Sequence, residues 1–141
     1  MHCIFAFLDP YNLGALPLEV IRNLAKLKRM DILMHVSLQD LQRNLELYIS
    51  SENSAMDAFA PGWRAHVDVR RSHELIRAKY LEYWKTLLKS EGMTTAETAE
   101  LVSGRKKQRL YLLAFAARHE RAVEFWEKIR SAGDKQKRLM L

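Results

Sequence analysis

The residues with the clearest capacity for chemistry form a short turn after the first apolar run of the chain. Ile4 to Leu8 is continuously apolar, and the run stops at Asp9-Pro10-Tyr11-Asn12. The Asp9 carboxylate and the Pro10 carbonyl group can accept hydrogen bonds from an amine, and the Tyr11 ring can stack on a flat base. The turn follows a strand end, where ligands of open α/β sheets bind, and therefore predicts a pocket that Asp9 and Tyr11 line.

The same turn has a plainer interpretation. Aspartate and proline are common in turns, because aspartate bonds to nearby backbone and proline fixes the backbone angle. In that case Asp9 would cap local backbone and Tyr11 would pack against the protein. The sequence leaves both interpretations open.

Other polar residues lie where they can reach this turn. Arg43 and Asn44 follow the next apolar run and can face the same cleft as substrate-binding residues, or they can cap local structure. His35 stands inside that apolar run, which favours a hydrogen-bonded core residue over a catalytic base. Asp31 comes shortly after the basic pair Lys28-Arg29, which favours a local ion pair.

A group of basic residues follows Trp63. Together with this ring, Arg70, Arg71 and Arg77 can track phosphates and stack on a base, so the group predicts a nucleic-acid-binding surface. The formal net charge of +6 is compatible with an acidic or nucleic-acid partner. Runs of charge are more often solvated faces, and this alternative stays open.

Composition and residue spacing exclude an internal disulfide, a cysteine-based zinc site and a membrane-spanning helix. Cys3 is the single cysteine, and the histidines are not spaced like the ligands of one metal ion. No apolar run approaches the ~20 residues that cross a bilayer, and the amino terminus lacks the basic region of a signal peptide. With 48% hydrophobic residues the chain can form a sizeable core. We therefore expect a cytoplasmic globular protein without a metal site.

The turn at Asp9 is expected to lie within a β-α-β unit. Ile4 to Leu8 is predicted to be a strand buried on both faces, because it is short and continuously apolar. A helix follows, and its apolar residues recur at helical spacing: Leu18, Ile21, Leu24 and Ala25. Ile32 to Val36 is the second strand. A strand, a helix and a strand in this order predict parallel pairing.

Capping residues mark the helices that come next. Ser37 and Asp40 resemble a capping box at the start of a helix. Residues 50–70 are predicted to be irregular. Ser72 caps the longest helix, and Gly92 ends it.

The last part of the chain predicts a hairpin and a helix. Thr94 to Val102 and Leu110 to Ala117 have the composition of two strands, joined by the polar turn Ser103 to Lys107. The last helix is predicted to span His119 to Ser131 and to stop at Gly133.

These elements predict an α/β fold, more narrowly a partial methyltransferase-like Rossmann fold. Parallel strands followed by a terminal antiparallel hairpin, with helices on both faces, are the ending of such a fold. The predicted strand order is first, second, fourth, third. Residues 1–134 would form the carboxyl-terminal half of the domain, and residues 135–141 a frayed basic tail.

Six segments form a recognisable series along the chain. They are Phe5-Ala6-Phe7-Leu8-Asp9-Pro10-Tyr11, Leu16-Pro17, Lys26-Leu27-Lys28-Arg29-Met30-Asp31, Arg43-Asn44-Leu45, Gly62-Trp63-Arg64 and Leu110-Tyr111-Leu112-Leu113-Ala114-Phe115-Ala116. In this order they resemble the three-Cys-motif partner protein family, over the later half of a typical member.

The resemblance implies a protein partner, a three-cysteine-motif radical-enzyme-like protein. The turn at Asp9 is also similar to the Asp/Asn-Pro-Pro-Tyr/Phe turn of amino-directed methyltransferases, with one proline instead of two and the aromatic residue one position early. This similarity implies that Asp9 and Tyr11 are catalytic and that Pro10 and Asn12 bind the substrate. S-adenosylmethionine is implied only for a full-length protein. No cofactor is expected in this fragment, because none of its five glycines forms the glycine-rich turn that holds one.

A half domain has a physical consequence at its first strand. Without the neighbouring strand of the full fold, Ile4 to Leu8 would expose an unpaired apolar edge. We expect this edge to bind a partner or to form a homodimer. Two alternatives stay open: a non-catalytic protein-interaction module that retains the fold, and a non-functional remnant.

Overall fold

A mixed β-sheet with helices on both of its faces organises the protein. The computed structural model describes residues 4–96, 100–103 and 110–139. In chain order the elements are β1 (Ile4–Leu8), α1 (Leu18–Ala25), β2 (Met30–Ser37), α2 (Leu38–Ser50), α3 (Ala55–Phe59), α4 (His73–Ser90), β3 (Thr94–Thr95), β4 (Glu100–Ser103), β5 (Leu110–Ala117) and α5 (Glu120–Leu139). Two one-turn 3₁₀ helices span Leu13–Ala15 and Trp63–Ala65.

The strand pairing confirms the predicted order. β1 pairs in parallel with β2, β2 pairs antiparallel with β5, and β5 pairs antiparallel with both β3 and β4. The predicted strand from Thr94 to Val102 is instead two short strands on the same neighbour. The predicted turn continues from Ser103 into residues that lie outside the described ranges.

Side chains along β2 alternate between its two faces, and each face contributes to a different apolar cluster. The even-numbered residues from Met30 to Val36 point into the larger cluster, together with residues of α1, α2, α3 and α4. Leu33 points the other way, toward a smaller cluster that includes Phe115 of β5 and Val123 of α5. Successive side chains of a strand face opposite sides, so one strand supplies both clusters.

β1 is less buried than its sequence predicts. Phe5 and Phe7 are 58% and 51% exposed, whereas Ala6 and Leu8 pack against the larger cluster. Among the described residues β1 pairs with β2 alone. The expected burial of both faces is therefore wrong. Within the described residues, one edge of β1 is unpaired and the face that carries Phe5 and Phe7 is about half covered.

Two segments are more helical than predicted. The segment 50–70 contains α3, which begins where the Ser54 N–H donates to Asp57 Oδ2 at 2.8 Å. α5 continues past Gly133, so this glycine does not end the helix. Gly92 does act as predicted: it follows α4 with a left-handed φ of 82°.

The Asp57 carboxylate ties three segments together. It accepts hydrogen bonds from Trp63 Nε1 and Arg64 Nε, each at 2.9 Å. The guanidinium group of Arg64 also donates to three carbonyl oxygens at the end of α2: Tyr48, Ile49 and Ser51. The hydrogen bonds from Arg64 lower the pKa of Asp57, against the opposing effect of partial burial.

Replacing Asp57 by alanine is expected to lower the free energy of unfolding by about 2–4 kcal/mol, because a helix cap and charge-assisted hydrogen bonds are lost together. Urea denaturation followed by circular dichroism measures the change. Asp68→Ala is the matched control, because Asp68 also pairs with arginines but does so on the surface. A similar loss in both variants would contradict the anchoring role of Asp57.

The Asp57 carboxylate is also expected to make the free energy of unfolding depend on pH. Because the folded-state pKa of Asp57 lies below its ordinary value of 3.8, its stabilisation is complete above that value. The stabilisation is lost as the pH falls through the folded-state pKa. Asp57→Asn should therefore be less sensitive to acid than the natural chain in the same denaturation measurement.

Candidate functional site

The carboxyl ends of β1 and β2 bring Asp9 and His35 together. Leu8 lies opposite Met34 in the parallel ladder, so the residues that follow them are also neighbours. His35 Nδ1 is 2.9 Å from Asp9 Oδ1. The His35 side chain is 26% exposed and the Asp9 side chain 59%. Ligands of open α/β sheets bind beyond this end of the strands, so the pair lies where a site is expected.

Two aromatic rings contact the His35 imidazole. The Phe7 ring meets it edge to face, with the ring centres 5.1 Å apart, and the Tyr111 ring lies tilted at 5.4 Å. Phe5 projects from the same face of β1 as Phe7, two residues away. We call Phe5, Phe7, His35 and Tyr111 the aromatic face.

The other residues of the predicted site turn do not join this pair. Tyr11 is 81% exposed and makes neither a hydrogen bond nor a ring contact with the described residues. Asn12 Oδ1 accepts a hydrogen bond from the Ala15 N–H at 2.9 Å, so this side chain caps the first 3₁₀ helix. Pro10 is partly buried. Within the turn, Asp9 is the residue that reaches His35.

The two candidates on α2 also lie apart from this pair. Arg43 is exposed and stands opposite the buried side of the helix, which carries Leu41 and Leu45. Asn44 Nδ2 donates to Asp40 Oδ1 at 2.7 Å. Asn44 therefore has the structural role that the sequence left open as an alternative.

Asp40 anchors the segment that follows the turn. Its carboxylate accepts hydrogen bonds from the Leu13 N–H and the Tyr48 hydroxyl, each at 2.9 Å. The Ser37 hydroxyl accepts from the Asp40 N–H at 3.2 Å, so half of the predicted capping box is present. The carboxylate that would complete the box holds Leu13 instead. Burial and the Asp40 carboxylate raise the pKa of Tyr48 to about 12.

The predicted basic and aromatic cluster is not assembled. Trp63 is fully buried, and the edge of its indole packs against Tyr80 with the ring centres 5.6 Å apart. The Nε atoms of Arg70 and Arg71 lie 3.0 and 3.5 Å from the Asp68 carboxylate. Trp63 therefore belongs to the core, and the Asp68 carboxylate offsets one of the two arginine charges on the surface. Arg77 is partly buried on α4.

A concavity lies at the opposite end of β2 from the Asp9–His35 pair. Its volume is about 700 Å³, and it is lined by Arg29, Asp31, Arg118, His119, Glu120, Arg121 and Ala122. Partial burial raises the pKa of Asp31, and the nearby His119 opposes this shift. The predicted ion pair of Asp31 with Lys28 or Arg29 is not formed within the described residues.

Comparisons with known proteins give no further assignment. No family model matches the chain, and neither a curated protein nor a solved structure matches it. Within residues 4–96, 100–103 and 110–139, no group of side chains is arranged to hold a metal ion. No helix in the described part of the chain is long and apolar enough to cross a membrane.

Sequence reasoning missed two residues of this region. His35 was expected to be a core histidine, and Asp40 was expected to serve only its own helix. Apolar spacing does not report the register, which pairs β1 with Met30 to Met34 and so places Asp9 beside His35, inside the longer β2. Asp40 also had no signal in the sequence, because its partner Leu13 lies 27 residues away.

Replacing Asp40 by alanine is expected to lower the free energy of unfolding by about 1–3 kcal/mol, because the N–H of the buried Leu13 loses its partner. The pKa of Tyr48 should also fall from about 12 toward its ordinary value, because two of the causes that raise it are removed. Denaturation and ultraviolet difference absorbance at alkaline pH measure these effects. Arg43→Ala on the same helix is the control, and equal losses would show that Asp40 is not the anchor.

Proposed function

We propose that the chain is part of a methyltransferase-like domain of the three-Cys-motif partner type and that a protein partner binds to it along β1. One observation carries this proposal. β1 pairs with β2 on one side only among the described residues, and both of its phenylalanine rings remain about half exposed. An unpaired apolar edge of this kind favours the addition of another strand.

The hydrogen-bonding groups of β1 support strand addition. The Ile4 N–H donates to the Arg29 carbonyl oxygen at 2.9 Å, on the β2 side. Backbone groups alternate along a strand, so the N–H and C=O groups of Phe5 and Phe7 point to the free edge. A strand from a partner would satisfy these groups and cover part of the aromatic face.

Charge favours a different protein over a second copy. Each chain carries a formal charge of +6, so two copies repel each other, whereas a neutral or acidic partner does not. The resemblance in sequence supports the same choice, because it implies a three-cysteine-motif radical-enzyme-like protein. A partner-binding function holds for both an enzyme and a non-catalytic interaction module.

The residues that follow β1 do not form the glycine-rich turn that holds S-adenosylmethionine. Gly14 is the first glycine after this strand, and a Cβ atom placed there would make an ordinary contact of 3.4 Å with Ala55 Cβ. This glycine therefore gives no sign of a cofactor cradle, and we derive no step through the cofactor. In this proposal S-adenosylmethionine belongs to a complete protein. We do not extend the proposal to nucleic acid, because Trp63 is buried and Asp68 pairs with Arg70 and Arg71.

The free edge is tested by two substitutions at one position. Phe5→Pro and Phe5→Ala both remove the ring, but only proline removes the N–H at the free edge, and edge strands tolerate it. Affinity for a co-expressed three-cysteine-motif protein should be about tenfold weaker for the proline variant than for the alanine variant, because a ladder hydrogen bond contributes roughly 1 kcal/mol and the proline ring obstructs the incoming strand. Biolayer interferometry measures the difference.

Leu47→Ala controls for the loss of an exposed apolar side chain, since Leu47 is 60% exposed on α2. Hydrogen exchange should slow at the amides of Phe5 and Phe7 when the partner binds. Equal affinities for the two Phe5 variants, or unchanged exchange, would contradict edge pairing. A dimer of the chain alone, with these amides protected, would replace the partner by a second copy.

A further inference from the structure

We propose that Nε2 of His35 is the hydrogen-bond acceptor of a ligand site and that Asp9 is the positioning residue that holds the imidazole for it. The ligand class is a molecule with a flat apolar group that carries an N–H or O–H donor. This inference goes beyond the proposed function and does not depend on the protein partner.

The hydrogen bond between Asp9 and His35 determines where the imidazole carries its proton. An ionised carboxylate can only accept, so the neutral ring must carry its proton on Nδ1 to make the 2.9 Å contact. Nε2 then holds a lone pair. A carboxylate orients a histidine base in this way in hydrolytic triads. No described residue donates a hydrogen bond to Nε2.

The surroundings of the imidazole suit a flat ligand. Phe7 from β1 and Tyr111 from β5 contact the ring, and Asp9 is the one charged side chain among the described residues that contacts it. Aromatic rings favour offset or edge-to-face contact with another flat apolar group. Polar recognition would then come from the acceptor at Nε2. An aromatic lining with few placed polar groups is the usual composition of a small-molecule site.

A purely structural histidine would differ from His35 in two ways. It would be buried with both ring nitrogens bonded, because a buried polar atom without a partner is costly. His35 is partly exposed and has one bonded nitrogen. Asp9 is more exposed than His35, so the carboxylate has no need of this partner for its own solvation.

The first test measures the tautomer of His35. ¹⁵N correlation spectra of the natural chain, at a pH at which the imidazole is neutral, should show the proton on Nδ1. Asp9→Asn keeps the shape of the side chain, but an amide can donate or accept and no longer selects one tautomer. The variant should therefore show a mixture of both tautomers. A proton on Nε2 in the natural chain, or the same tautomer in both proteins, would overturn the assignment of Asp9.

The second test uses phenol and anisole as probes, because they share a flat ring but only phenol has an O–H donor. Phenol should shift the His35 Nε2 signal in a saturable way at millimolar concentration, and anisole should do so several-fold more weakly. Asp9→Asn should weaken the response to phenol several-fold. His73 is the control within the same spectrum, because its Nε2 is already paired with Glu46 at 2.6 Å.

Two results of this titration would refute the proposal. One is an equal effect of phenol and anisole on His35, which would mean that Nε2 accepts no hydrogen bond from the ligand. The other is an unchanged His35 signal at saturating phenol, which would mean that no ligand site is present there.

Discussion

The structure depends on the register of β2. This strand pairs in parallel with β1 and antiparallel with β5, and its side chains alternate between the larger apolar cluster and the opposite face. A slip of one residue would carry the whole set from Met30 to Val36 out of the core. The same register places His35 on the opposite face, beside Asp9, the residue that follows β1. The packing of the core therefore determines the geometry of the candidate site.

Two carboxylates fix the irregular segments in place, as hydrogen bonds between strands fix the sheet. Asp40 holds the segment after β1 against α2, and Asp57 joins α3, the second 3₁₀ helix and the end of α2 through Arg64. Both act on backbone groups that no helix or strand satisfies, where an unpaired group would be costly. Irregular segments are thus fixed by side chains far apart in sequence. The segment that follows the site turn is held against α2 by the hydrogen bond from the Leu13 N–H to Asp40.

The order and type of most elements were predictable because apolar spacing reports them directly. The spacing of Leu18, Ile21 and Ala25 identified α1, and the continuous run before Asp9 identified β1. The burial of β1 was not predictable in the same way. An apolar run shows that a strand can be buried on both faces, but it does not show whether other elements cover both faces. α3 was missed because its five residues are too few to show a helical period.

The candidate site was predicted at the right turn but with the wrong companions. Asp9 was identified by its place after an apolar strand, whereas Tyr11 and Asn12 were included because they are adjacent in sequence. In the structure adjacency along the chain matters less than adjacency across the ladder, which joins Asp9 to a residue 26 positions away. Trp63 illustrates the opposite case. A tryptophan next to basic residues suggested a surface, and only tertiary packing places it in the core.

The free edge of β1 also bears on the solubility of the protein. Five consecutive uncharged apolar residues at a sheet edge, three of which are about half exposed, have the features of a segment that starts aggregation. Natural proteins usually guard such an edge with a lysine or a proline, and β1 has neither within its length. A protein that paired with this strand would therefore also protect the chain from aggregation through Ile4–Leu8.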